Sequence, residues 1–233
     1  MEKQAALERL HVLDRDIKHL SQVTAILQWD QETYMPSAAV EGRSEQLALL
    51  EGILHEKATS PEIGNLLEQL GSTTANPKGD TDLPDIERDF LRVVRKNYDR
   101  AVLLPAELVT ESARAEGLSQ AAWVEARKQN DYKTFMPHLE KMIGYAKKKA
   151  ECWGYTEHPY DGLLDIYEPG MTEGAIAGVF GPLRTRLSQL VQRLGTKQAP
   201  RSDFLAREFP RELQAQFGES VMKDLAYDQS QGR

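Results

Sequence analysis

Apolar residues spaced by alternating steps of four and three leave this chain little alternative to helix. Ile176, Phe180, Leu183, Leu187, Leu190 and Leu194 follow steps of 4, 3, 4, 3 and 4. At about 3.6 residues per turn, all six fall on one face. Arg184, Arg186, Gln189, Gln192 and Arg193 occupy the remaining faces. Thr172 is predicted to cap the start, its hydroxyl accepting from first-turn amides. Gly195 is predicted to end the helix in a left-handed conformation.

The same texture recurs along the chain. Leu7, Leu10, Leu13, Ile17, Leu20, Val23 and Leu27 form a stripe that winds around a first helix. Val40, Leu47, Leu50 and Leu54 mark a second helix. Ile86, Phe90, Val93, Val94 and Ala101 mark another, and Leu213, Phe217, Val221 and Leu225 a last one. Pro36, Pro61, Pro84, Pro105, Pro137 and Pro210 each stand at the head of a helical pattern, where a missing N–H costs nothing. No segment sustains the period-two alternation of a strand. The expectation is an all-α fold of about eight helices, with residues 1–233 as one domain. Two segments interrupt it. Gly71 to Thr81 is small, polar and glycine-containing, and reads as a loop open to motion. Tyr155 to Gly170 mixes aromatic residues with His158, Asp161 and Glu168, as in a loop that packs onto something.

Composition excludes several classes of function. Lys and Arg number 29 against 36 Asp and Glu, a net charge of −7, so the chain lacks the basic face that nucleic acid requires. The lone Cys152 rules out an internal disulfide and a thiolate zinc cluster. No stretch approaches the ~18 uninterrupted apolar residues of a membrane span. The N-terminus enters directly into a charged amphipathic pattern without a signal peptide's apolar run, and a cytoplasmic location is expected.

Candidates for chemistry are few. A zincin needs H-E-x-x-H, and His55-Glu56 opens that pattern only for Thr59 to fill the second histidine's place. Glu8-x-x-His11 matches one ligand pair of a di-iron bundle, and Asp16 and His19 repeat the spacing on the same helix, whereas such a site needs pairs from different helices. His158, Asp161 and Glu168 could form an acid–base cluster, although the neighbouring Pro159, Pro169 and Gly170 favour structural punctuation. Lys141, Lys147, Lys148 and Lys149 are read as a solvated helix end, and Cys152 has no histidine partner in the sequence.

The segment Trp29-Asp30-Gln31-Glu32-Thr33-Tyr34-Met35-Pro36 is distinctive, as are His158-Pro159-Tyr160-Asp161 and Tyr167-Glu168-Pro169-Gly170-Met171-Thr172. Together they resemble the N-terminal half of the Taq-type thermostable metallocarboxypeptidases. The final stretch, Phe209-Pro210 through Tyr227-Asp228 to Gly232-Arg233, extends the resemblance across the chain. It implies a partial version of a helical, groove-containing fold and an enzyme that removes C-terminal residues from peptides. In that family a zinc-activated water attacks the scissile carbonyl, with a glutamate as general base.

The H-E-x-x-H, third ligand and substrate-carboxylate residues of the family have no matching positions here, so no catalytic and no metal-binding residue is assigned. No cofactor is expected on this chain, zinc being a property of complete members. The expectation is therefore a chain inactive alone, with a peptide substrate only when completed by a separate C-terminal half. A non-catalytic helical dimerisation or binding protein is the alternative. A broken gene, a split gene and a shortened chain all fit. An apolar patch covered by a second copy or a partner chain should follow. Trp29, Asp30, Glu32, Tyr34 and Pro36 are expected to build an ordered turn between the first two helices, with Trp29 and Tyr34 packed between them. His158, Tyr160 and Asp161 are candidate groove-lining residues.

Overall fold

A computed structural model describes residues 2–230; Met1 and the Gly232-Arg233 end of the resembling stretch lie outside the described residues. All regular structure among them is helical: α1 (Glu2–Thr33), α2 (Val40–Ala58), α3 (Pro61–Gln69), α4 (Asp85–Val102), α5 (Ala106–Gln129), α6 (Tyr132–Trp153), α7 (Pro159–Leu164), α8 (Glu173–Gly195) and α9 (Arg211–Asp224). Short 3-10 turns occupy Ser37–Ala39 and Asp203–Ala206. The all-α expectation holds. The short α7 lies inside the Tyr155–Gly170 segment, where the sequence predicts a loop.

The helix starts follow local chemistry. Ser60 caps α3 by accepting from the Glu62 amide, with Pro61 at the first helical position. Pro84, Pro105 and Pro210 sit one step earlier, as N-cap residues with extended ψ. Pro137 departs from the expectation. Asp131 accepts from the Lys133 amide at 3.1 Å and from the Thr134 hydroxyl at 2.6 Å, starting α6 early and leaving Pro137 inside it. Thr172 caps α8 as expected, its hydroxyl accepting from the Ala175 amide at 3.2 Å. Gly195 does not become left-handed; it is the last residue of α8. The Thr196 hydroxyl and Lys197 amide satisfy the Arg193 and Leu194 carbonyls instead.

The chain divides into two compact units, Met1–Ala177 and Gly178–Arg233. The first contains the core. Ala6, Leu7 and Leu10 of α1, Ile63 and Leu67 of α3, Leu70 just after it, and Leu91 and Val94 of α4 form one buried cluster. On α4 the buried line runs through Leu91 and Val94 and leaves Ile86 77% exposed, so the interior lies to one side of the Ile86–Val93 stripe. A second cluster joins Leu108 and Ala115 of α5 to Tyr145 of α6, with Met142 and Cys152 against it. Helix α2 approaches α5 closely where Gly117 faces Ser44; a Cβ at Gly117 would stand 2.6 Å from the Ser44 hydroxyl. The Gly71–Thr81 loop is tied down by its own bonds. Ser72 is fully buried and donates to the Pro77 carbonyl at 2.8 Å, and the Asn76 amide donates to Gly79 at 2.9 Å.

In the second unit no described residue from 178 to 230 is buried. Apart from the half-buried Met222, its large apolar side chains are between 38% exposed at Val221 and 76% at Leu225. With no buried residue among 178–230, these helical pieces have little to set against the conformational entropy of ordering them.

Candidate functional site

The first distinctive block lies largely on α1. Nothing in Trp29 to Thr33 breaks a helix, and the turn is confined to Tyr34–Pro36, where Pro36 disfavours continued α conformation before it. Trp29 and Tyr34 are not packed between helices. They are 45% and 73% exposed and meet each other edge to face at 5.3 Å. Position 40 and beyond supply the real fastening. Arg43 of α2, largely buried, donates to Asp30 at 2.7 Å, to the Leu27 carbonyl at 2.5 Å and to Gln46 at 3.1 Å. Asp30 thus clamps the end of α1 to α2, and Gln31 reaches the Gly117 carbonyl of α5 at 3.1 Å. Glu32 is exposed on the same turn.

Beside this clamp lies a cavity of 290 Å³ that sequence reasoning missed. Glu32 and Gln31 of α1, Glu51 of α2, Glu116 of α5 and Lys149 of α6 all border it. Burial pushes the Glu51 carboxyl above its ordinary range, the Glu116 charge adds to the effect, and Lys149 opposes it. Four helices contribute, and no spacing along one of them carries the signal.

The second block is a capping device. His158 Nδ1 accepts from the Tyr160 amide at 3.1 Å, and Asp161 accepts from the His158 amide at 3.2 Å, closing a capping box at α7. The other oxygen of Asp161 accepts from the Glu173 amide, the first residue of α8, at 2.7 Å. Asp165 accepts from the Gly170 amide at 2.8 Å, pairs with Lys96 at 3.1 Å and binds Arg100 of α4. Gly170 adopts φ +81°, which only glycine reaches without strain. His158 and Asp161 are thereby used structurally, and Glu168 is exposed and takes no part in their cluster.

These elements border an open hollow of 750 Å³ whose walls include Arg100, Trp153, Tyr155, Asp161, Asp165 and Met171. Of the three groove-lining candidates, Asp161 contributes to it, whereas His158 and Tyr160 do not. Its cations are largely answered by carboxylates: Arg95 by Asp99 at 2.8 Å, and Lys96 and Arg100 by Asp165. Partial burial disfavours the Asp165 charge, but the Gly170 amide, Lys96 and Arg100 outweigh it and hold this carboxyl below its usual value. A carboxyl with a depressed folded-state pKa stabilises above its unfolded pKa near ~3.9, and that contribution is lost as pH falls through the lower folded value. Acid denaturation below about pH 4 is therefore expected to be shallower in Asp165→Asn than in the parent, measured by helical circular dichroism. Equal slopes would show that Asp165 gains nothing from its partners.

The remaining metal candidates are dispersed. His11 pairs with Glu87 at 2.8 Å and stacks on Phe90, while Glu8 accepts from Gln4. Lys141 and Lys148 flank the Tyr145 ring, each 5.8 Å from its centre, rather than ending α6, which runs on to Trp153. Among the described residues no group of three His, Cys, Asp or Glu side chains converges as metal ligands would, so the donors present do not fit a zinc ion. No described helix is long and apolar enough to cross a membrane.

Comparison with known proteins settles the ancestry of this scaffold. Residues 9–233 match the model of the carboxypeptidase Taq (M32) metallopeptidases. The chain belongs to the M32 family. It is 33% identical over 243 residues to thermostable carboxypeptidase 1 of Thermus thermophilus, covering all of this chain and 47% of that protein. Carboxypeptidase 1 of Bacillus subtilis is 29% identical over 218 residues, or 93% of this chain and 42% of its own length. The BsuCP crystal structure superposes with a TM-score of 0.87 at 28% identity, over 98% of this chain and 45% of the other. The Apo-Mg structure of the Pyrococcus furiosus carboxypeptidase gives 0.77 at 29% identity, over 96% and 44%. This M32 chain thus spans less than half the length of these relatives.

Proposed function

We propose that these 233 residues form the N-terminal half of a zinc-dependent M32 carboxypeptidase. Alone the chain is inactive. Supplied with the C-terminal half of the fold, H-E-x-x-H included, it becomes part of an enzyme that releases C-terminal residues from peptides in the cytoplasm. The observation that carries this reading is the second unit: α8 and α9 bear regular apolar stripes, and no described residue from 178 to 230 is buried. Relatives that match the whole chain are about twice as long, which supports a missing half as the cover.

In that enzyme the residues of this chain are positioning residues. Asp30 and Arg43 fix the angle between α1 and α2. Asp161 and Asp165 fix the start of α8 and the Tyr155–Gly170 segment, with the neighbouring hollow contributing to the peptide groove.

The test is peptide hydrolysis. The chain with added zinc is expected to release no C-terminal residue, followed by mass spectrometry. Adding a polypeptide that carries the C-terminal half of the fold should give release that a chelator abolishes. Chelator-sensitive turnover by the chain alone overturns the reading. A stable dimer that gains no activity from the added half favours the helical binding protein instead.

A further inference from the structure

The α8 face has a more specific chemistry than an apolar patch. Phe180, Leu183, Leu187, Leu190 and Leu194 alternate steps of three and four, the a and d positions of a heptad. All five are between 45% and 59% exposed. At about 100° per residue, Arg184 falls along one edge of this stripe and Arg186 and Arg193 along the other. From Gly174 to Pro200 the chain carries four cations, these three arginines and Lys197, and no carboxylate, against a net charge of −7 overall. None of the three arginines has an ion-pair partner among the described residues.

We propose that α8 is one side of a knobs-into-holes helix seam. Its occupant is an amphipathic helix with acidic flanks, belonging to the half of the fold that the relatives have and these residues lack. The inference rests on the proposed function and adds to it the identity of the docking element and the charge of its partner. Charge complementarity selects this occupant. A second copy presents the same arginine-edged stripe with no carboxylate to answer it, and flanking charges set partner choice in such seams. The half-length match to the relatives supplies the source, since more than half of each relative lies outside the matched region.

The probe is a labelled 28-residue peptide of four heptads (~7 residues each), with leucine at a and d and glutamate at e and g. A lysine-flanked isomer is the control. Fluorescence anisotropy against the full chain is expected to show the glutamate peptide binding at least ~10-fold tighter at low salt, with the preference shrinking as salt rises. The double variant Leu187→Asp, Leu190→Asp should lose binding. The triple variant Arg184→Glu, Arg186→Glu, Arg193→Glu alters only exposed charges and should reverse the preference towards the lysine peptide.

No binding of either peptide, or equal binding of both, overturns the proposal. A dimer of the chain alone that the two aspartates dissolve, seen by sedimentation equilibrium, assigns the face to a second copy and also overturns it. Restored hydrolysis with a silent peptide assay would sink this seam while leaving the proposed function standing. Peptide binding without restored hydrolysis would do the reverse.

Discussion

Leu67→Ala should unfold the first unit at markedly lower urea, at a cost of about 2–5 kcal/mol. Leu67 is fully buried between α1, α3 and α4, alongside Leu10, Leu70 and Leu91, which are equally inaccessible. Removing three carbons there forfeits their transfer from water and leaves a void that close-packed neighbours fill only in part. The informative contrast is Leu187→Ala on α8. Both are leucines within helices, yet Leu187 is 52% exposed. Its truncation is expected to shift stability by no more than about 0.5 kcal/mol, since alanine is also a strong helix former. Matched urea titrations decide the point. A similar loss at both positions would mean that α8 already has an interior of its own.

Gly79→Ala is expected to be nearly as damaging, at about 3 kcal/mol, through backbone rather than core. Gly79 sits at φ +69°, where an L side chain costs ~1–2 kcal/mol. A Cβ there would also stand 2.6 Å from the Leu70 carbonyl oxygen and 2.7 Å from the buried Leu91 side chain. The carbonyl cannot step aside easily, because it accepts the Asp80 amide at 3.0 Å and so closes the loop onto α3. Gly144→Ala is the control. That glycine lies inside α6, and a Cβ there meets nothing within 4 Å, so the change should raise stability by about 0.5–1 kcal/mol. Thermal melts of the two variants should therefore move in opposite directions. A harmless Gly79→Ala would mean that the Gly71–Thr81 loop is not fixed as described.

Helices were legible because 3.6-residue periodicity is a local property, and Thr172 announced its cap by residue type. Which stripe is buried was less legible. On α4 the choice between Val93 and Val94 depends on where α1 and α3 lie, and neither is encoded in α4 itself. Pro137 departs for a related reason: proline also fits inside a helix that an earlier cap has begun, and here Asp131 starts α6 six residues before it. Large aromatic rings usually gain by burial, yet Tyr34 stays 73% exposed and Trp29 keeps 45% of its surface open. The motif blocks were recognisable as sequence, whereas their physical content was not. The bonds of Asp30 to Arg43 and of Asp165 to Arg100 cross between elements, and the cavity bordered by Glu32, Glu51, Glu116 and Lys149 draws on four helices. Spacing along one helix is silent on all of them.

The bond from Asp161 to residue 173 has an evolutionary corollary. Its acceptor oxygen engages a main-chain amide, which every amino acid except proline provides. Position 173 is therefore free to drift among nineteen residue types as far as this contact is concerned, while position 161 must keep a short acceptor of fixed reach. Selection on such a joint would leave its trace at one end only, so covariation between the two sites would fail to reveal it.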